Sequence, residues 1–170
     1  MNYSHAELCH KAALYLLTTG NFPIVCQEMH SALQEIPDVY AKNRHFSVVI
    51  ECKTSKADFE RDKKKRFRRY PKEGLGRYRY YFCEAGLITE KDLPKKWGLI
   101  YIYPDGKMRM MKGKVFGNKK YDSEYRFSEN WEAECEAMYS LLRKTVSWGF
   151  GKDGIWEYKD SDTENSMGDR

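Results

Sequence analysis

Val48, Val49 and Ile50 stand in a row immediately before Glu51-Cys52-Lys53, and no other stretch of the chain restricts its fold as much. Three consecutive apolar β-branched residues disfavour a helix and suit a strand that is covered on both faces. Such a strand belongs in the middle of a sheet with helices packed on it. The segment therefore predicts an α/β domain, a mixed central β-sheet flanked by helices. Side chains alternate across a strand, which puts Glu51 and Lys53 on one face and Cys52 on the other, pointing into the apolar layer. Charged groups at the end of so apolar a strand sit at the rim of a core and need compensating partners.

The rest of the chain agrees with one such domain. Its 170 residues are 41% hydrophobic and 32% charged. A chain of that size removes roughly 70% of its unfolded surface from water and needs no disulfide or structural metal. We place one domain over residues 1–150 and an acidic C-terminal tail over 151–170, with three Lys/Arg against six Asp/Glu from residue 152 on. The final dozen residues are expected to be disordered. The five cysteines are odd in number and far apart, with no CxxC and no Cys/His pairing at zinc-ligand spacing, which predicts a reduced, cytoplasmic protein. His5 and His10 are five apart and fall on different sides of a helix. Apolar runs such as AALYLL and WGLIYIY are too short to cross a bilayer, and the N-terminus does not read as a signal peptide.

The pattern predicts a helix over 4–19, with Leu8, Ala12, Ala13, Leu16 and Leu17 near a helical period, Ser4 as cap and Gly20 as stop. A β-like stretch follows at Ile24–Met29, then a strand in IPDVYAK and the SVVIECK strand. Ser55 or Thr54 caps a second helix that starts at Lys56 and runs on through KADFERDKKKRFRRY. PKEGLGRYR reads as a loop, RYRYYFCE as a strand, and Pro104-Asp105-Gly106 as the turn of a hairpin. Residues 128–147 complete the order as a helix, with Ser128, Glu129 and Glu132 at its start.

Charge is unevenly spread. The net charge is +5, but residues 53–79 hold twelve Lys/Arg against four Asp/Glu. A basic segment in a near-neutral body points to a polyanionic partner. Lys63, Lys64, Lys65, Arg66, Arg68 and Arg69, with Arg77 and Arg79 beyond the glycine loop, are the candidate phosphate contacts. Ser55 and Lys56, at the helix start beside the strand end, are further candidates for nucleic-acid contact, the Ser55 hydroxyl either touching a phosphate or capping the helix. Tyr70, Tyr78 and Tyr80 can stack on unpaired bases or pack within the sheet.

If the IPDVYAK strand neighbours SVVIECK, Asp38 reaches the face that carries Glu51 and Lys53, and two carboxylates with one ammonium meet at the rim. Two carboxylates offer hard oxygen ligands to a divalent cation. Pro37-Asp38 followed by Glu51-Cys52-Lys53 resembles the signature of the PD-(D/E)xK nuclease superfamily, the restriction-endonuclease-like fold. VVIECKTSKADFERDKKKRFRR and GLGRYRYYFCEAGLITEKDLPKKWGLIYI are similar to the corresponding parts of MmcB-type DNA-repair nucleases and their phage-encoded relatives, so the resemblance covers about residues 4–103. It implies a restriction-endonuclease-like core and a Mg²⁺-dependent DNA endonuclease of repair, recombination or phage DNA processing, with Mn²⁺ able to substitute. It further implies Asp38, Glu51 and the Cys52 backbone carbonyl as metal ligands and Lys53 as the residue that orients water or stabilises charge on phosphorus. Glu7, near the start of the helix preceding the core strands, would support the metal, with Glu28 as a weaker outer candidate. DNA is the expected partner rather than RNA, no membrane is expected, and a homodimer would supply two active sites to a duplex. The alternatives are a nuclease-fold DNA-binding module without activity and a phage-encoded inhibitor that binds a protein.

Overall fold

The computed structural model describes residues 3–29, 35–114, 116 and 123–149, so the expected acidic tail over 151–170 lies outside the described residues. Helix α1 (His5–Thr18) leads into strands β1 (Ile24–Gln27), β2 (Val39–Lys42) and β3 (Ser47–Lys53). Helices α2 (Lys56–Asp62) and α3 (Arg66–Arg69) cross to β4 (Tyr78–Glu84), followed by β5 (Gly98–Ile102), β6 (Met108–Lys112) and α4 (Trp131–Gly149). The strands form one six-stranded sheet in sequential order, with β3, β4 and β5 parallel and the outer pairings antiparallel. This is the mixed α/β architecture the sequence predicts. Among the described residues no helix is long and apolar enough to cross a membrane.

β3 is buried at all seven positions, as its β-branched run requires, and its alternation sorts the two layers. Val48, Ile50 and Cys52 join Leu8, Ala12, Ala13 and Leu16 of α1 in the largest apolar cluster. On the opposite face Val49 packs with Tyr40, Leu75 and Ala133 and Ala137 of α4, while Phe59 of α2 packs with Tyr81, Trp97 and Leu99. Ser4 starts α1 through a capping box with Glu7, which accounts for the early, sharp helix start. The hairpin turns where expected: Gly106, at φ 79°, lets the chain reverse between β5 and β6. Gly76 is required by close approach, since at φ 84° a Cβ there would meet Val49 Cγ2 at 2.8 Å.

Two helical expectations are corrected. The helix from Lys56 does not continue through Arg69 but breaks after Asp62 and restarts at Arg66. Residues six apart lie about 120° apart on an unbroken helix, and the break lets Asp62 and Arg68 face each other at 2.8 Å. The last helix begins at Trp131, and its cap is Asn130, whose Oδ1 accepts the Ala133 N–H at 3.2 Å.

Candidate active site

The parallel strands β3 and β4 end at the same rim, the place where open α/β sheets present their chemistry. β2 runs opposite to β3, so the residue that begins β2 lies beside the end of β3. Asp38 stands there, and its Oδ2 accepts the Cys52 N–H at 2.7 Å. Glu51 and Lys53 project together from β3, with Nζ 3.2 Å from Glu51 Oε2 and 4.0 Å from Asp38 Oδ2. The structure thus brings Asp38, Glu51 and Lys53 together. Cys52 points the other way, into the α1 layer.

The surrounding partners were not evident from the linear motif. Asp62, at the end of α2, lies 3.4 Å from Lys53 Nζ and 2.9 Å from Lys65 Nζ, and accepts the Tyr81 hydroxyl at 2.8 Å. Arg68 spreads its guanidinium over three carboxylates: Asp62 at 2.8 Å, Glu35 at 2.9 Å and Glu51 at 3.0 Å. Its flat face rests 4.7 Å from the Trp97 ring centre. Glu35 is fixed in turn by the Leu75 N–H at 2.7 Å. Four carboxylates and three cations therefore share one rim, most of them out of water.

Burial and charge oppose each other in this group. Glu51 is only 1% exposed, and burial pushes its carboxyl up to about 7 although Arg68 and Lys53 pull it down. Burial also pulls on the Lys53 ammonium, but Glu51 and Asp62 outweigh it and hold the lysine above its ordinary value. Asp62 goes the opposite way from Glu51: burial is overcome by the Arg68 hydrogen bond and charge, and the carboxyl falls below its usual range. Glu51 Oε1 is buried yet accepts no hydrogen bond. Arg68 approaches that oxygen closely enough for charge pairing but without hydrogen-bond alignment. Beside it opens a cavity of about 390 Å³ lined by Glu35, Ile36, Glu51, Lys65, Arg66, Phe67 and Arg68.

Other expected residues fall elsewhere. Glu7 is not brought to this group. Its carboxylate turns back onto Ser4, accepting the backbone N–H at 2.7 Å and the hydroxyl at 2.8 Å, because an orphan helix-start donor lies closer than the rim. Glu28 is exposed and reaches Asp38 only through its backbone N–H, 3.0 Å from the Asp38 carbonyl. Arg68 and Arg79 are not surface phosphate contacts. Arg68 belongs to the buried network, and Arg79, 1% exposed, donates to the carbonyls of Gly76, Phe67 and Pro71. Burial lowers the Arg79 guanidinium to about 10. Ser55 caps α2 by accepting the Asp58 N–H at 3.1 Å. Lys56 pairs with Asp92 at 2.7 Å, Lys63 with Glu60 at 2.9 Å, and Arg77 with Glu129 at 3.4 Å. Lys64, Lys65, Arg66 and Arg69 are exposed; Lys65 and Arg66 line the cavity, and Arg66 pairs with Glu73. Tyr78 and Tyr80 pack within the core, whereas Tyr70 is exposed.

Sequence reasoning missed Glu134 altogether. It is buried in the first turn of α4 and collects donors from the Tyr40 hydroxyl at 2.7 Å, the Ser47 hydroxyl at 2.5 Å and the Gly76 N–H at 3.1 Å, with Lys42 3.3 Å away. That carboxylate pins α4 to the sheet. It also missed a helical spacing: His5 and Cys9 are four apart on α1, and His5 Nε2 lies 3.3 Å from Asp38 Oδ2.

No family model and no curated protein matches the chain. Among solved structures it is similar to the SPO1766 protein of unknown function from Silicibacter pomeroyi, at a TM-score of 0.57 and 17% identity over 94% of this chain and 100% of that one. At that identity the likeness is one of fold: a mixed α/β sheet flanked by helices.

Proposed function

We propose that this protein is a Mg²⁺-dependent phosphodiesterase that cuts DNA, with Asp38, Glu51 and Lys53 at its centre. The observation that carries the reading is Glu51: a carboxylate 1% exposed, bordering a cavity of about 390 Å³, with one oxygen free of hydrogen bonds. That oxygen is paired with Arg68 by charge but accepts no hydrogen bond, which leaves lone-pair capacity for a ligand. The residues fit a hard divalent cation, since Asp38 and Glu51 offer carboxylate oxygens and the Cys52 peptide lies at the same rim. When bound, Mg²⁺ would polarise a phosphoryl oxygen and acidify a coordinated water. Lys53, held charged by its carboxylate neighbours, is placed to stabilise negative charge accumulating on a phosphate. Arg68 keeps Glu51, Asp62 and Glu35 in register and so acts as a positioning residue. Lys65 and Arg66 line the opening, and with the exposed Lys64 and Arg69 they supply contacts to the phosphate backbone. The helix preceding the core strands and the Asp/Glu/Lys grouping at the end of β3 support the kinship with PD-(D/E)xK nucleases and a role in DNA repair, recombination or phage DNA processing.

The test is incubation with single-stranded, nicked, branched and linear duplex DNA in Mg²⁺, Mn²⁺ or EDTA, beside Glu51→Gln and Lys53→Ala. Cleavage that needs metal and falls by about 10² or more in Glu51→Gln is expected. A second reading, a nuclease-fold DNA-binding module, is favoured by the fact that Lys53 and Arg68 already neutralise Glu51. Salt-sensitive DNA binding without cleavage in either metal would establish it instead.

A further inference from the structure

His5 and Cys9 occupy successive turns of α1 and share one face of it. That face meets the rim of the sheet at Asp38, whose Oδ2 is also 4.0 Å from Lys53 Nζ. His5 Nε2 is 3.3 Å from Asp38 Oδ2, and Cys9 Sγ is 3.9 Å from the same nitrogen and 3.6 Å from Nδ1. One ligand atom from each of the three residues lies within 4.8 Å of the others, and among the described residues this is the one such group of three. Tetrahedral zinc, with bonds of about 2.0–2.3 Å, holds its ligand atoms roughly 3.3–3.8 Å apart. Through Nε2 the N–O edge of 3.3 Å lies in that range and the N–S edge of 3.9 Å just beyond it, so small rotations bring all three onto one ion. The donor set also discriminates. Imidazole nitrogen, thiolate sulfur and one carboxylate oxygen suit Zn²⁺ or Co²⁺, whereas Mg²⁺ prefers oxygen alone. The Cys52 N–H that holds Asp38 at 2.7 Å is the kind of outer hydrogen bond that orients a ligating carboxylate. Access is from the His5 side: that side chain is 43% exposed and Asp38 19%, while Cys9 is buried.

We propose that His5, Cys9 and Asp38 form a binding site for a divalent transition metal of the Zn²⁺ class, its fourth position open to water. Binding releases the Cys9 thiol proton to solvent. The site shares Asp38 with the hydrolytic centre, so an ion there withdraws that carboxylate from Mg²⁺ and inhibits cleavage. This consequence, though not the site itself, rests on the phosphodiesterase reading.

Co²⁺ titration of the reduced full-length protein tests the site. One Co²⁺ per chain is expected, with a near-ultraviolet thiolate-to-cobalt band that disappears in Cys9→Ser. Zn²⁺ competition should show affinity at least about tenfold weaker in both Cys9→Ser and His5→Ala, and unchanged in Glu51→Gln. His5→Ala alters an exposed side chain in the first turn and keeps the test valid if Cys9→Ser folds poorly. No band in the wild type, a band that survives Cys9→Ser, or wild-type affinity in His5→Ala would overturn the site. For the consequence, Zn²⁺ should inhibit Mg²⁺-dependent cleavage by the wild type and lose that effect in His5→Ala. Zn²⁺ binding without inhibition would refute the shared role of Asp38. A wild type that binds Co²⁺ as described but never cleaves DNA would count against the phosphodiesterase and leave the metal site standing.

Discussion

The two faces of β3 are built by different physics. Toward α1, Val48, Ile50 and Cys52 meet leucines and alanines, and almost any apolar side chain of similar volume would satisfy that layer. On the other face Glu51 and Lys53 meet Asp62, Arg68 and Glu35, where each ion depends on the others by charge and geometry. Replacing such a network wholesale by apolar residues is often harmless to stability, so its retention at a strand rim argues for a use other than stability.

The sharpest way to break the ionic face is Arg68→Ala. It strips the guanidinium from three buried carboxylates, and a loss of about 3–5 kcal/mol is expected in urea unfolding at pH 7. A loss below about 1 kcal/mol would mean that the carboxylates simply take up protons and that the network is slack. On the apolar face the matching cut is Leu16→Ala, at a fully buried site. A cavity cost of about 3 kcal/mol is expected there, with no dependence on pH between 5 and 8 because no titrating group touches the change. The contrast between the two variants lies in that pH dependence.

A smaller effect isolates Glu51. In the unfolded chain it ionises near 4.5, whereas burial holds the folded carboxyl protonated up to about 7. Between those values the folded state binds more protons than the unfolded one, so the Glu51 contribution to stability falls as pH rises and levels off above 7. Asp62 acts in reverse: its folded carboxyl is held low, so it contributes stability above 3.8 that is lost in acid. Glu51→Gln removes the first contribution and keeps the second. Its stability relative to wild type should therefore increase from pH 5 to pH 8, measured by urea unfolding at each pH. A flat difference would show that Lys53 and Arg68 keep Glu51 ionised throughout.

The same division explains what could be read from the sequence. Alternation along β3 announced both faces at once, and the neighbouring IPDVYAK strand brought Asp38 to the rim, so Asp38, Glu51 and Lys53 were legible from residue order. The hairpin at Gly106 and helix α1 followed from turn and cap chemistry. Arg68 was not legible as a buried ion because it sits in a run of cations, and only the break after Asp62 turns it inward. Nothing in residue order set Glu134 apart, because its four donors come from β2, β3 and the loop before β4. Glu7 was misjudged for the opposite reason: its local partner Ser4 outcompetes any distant role. The His5–Cys9 spacing was present in the sequence, but it became informative only when the sheet rim set Asp38 against it.

The smallest expected change in stability belongs to the cations that remain outside. Lys64 and Arg69 are exposed, and replacing both by Gln should alter unfolding free energy by no more than about 0.5 kcal/mol. Their effect should appear elsewhere. If each neutralises one phosphate of duplex DNA, the double variant binds with a log–log salt slope shallower by roughly 1.8 than the wild type, about 0.9 for each lost contact. Arg79→Gln is the converse control: its guanidinium is spent on three backbone carbonyls, so it should weaken folding and leave the salt slope of the folded protein unchanged. Equal slopes for wild type and the Lys64/Arg69 variant would remove these residues from the DNA path and direct the search to Lys65 and Arg66 at the cavity mouth.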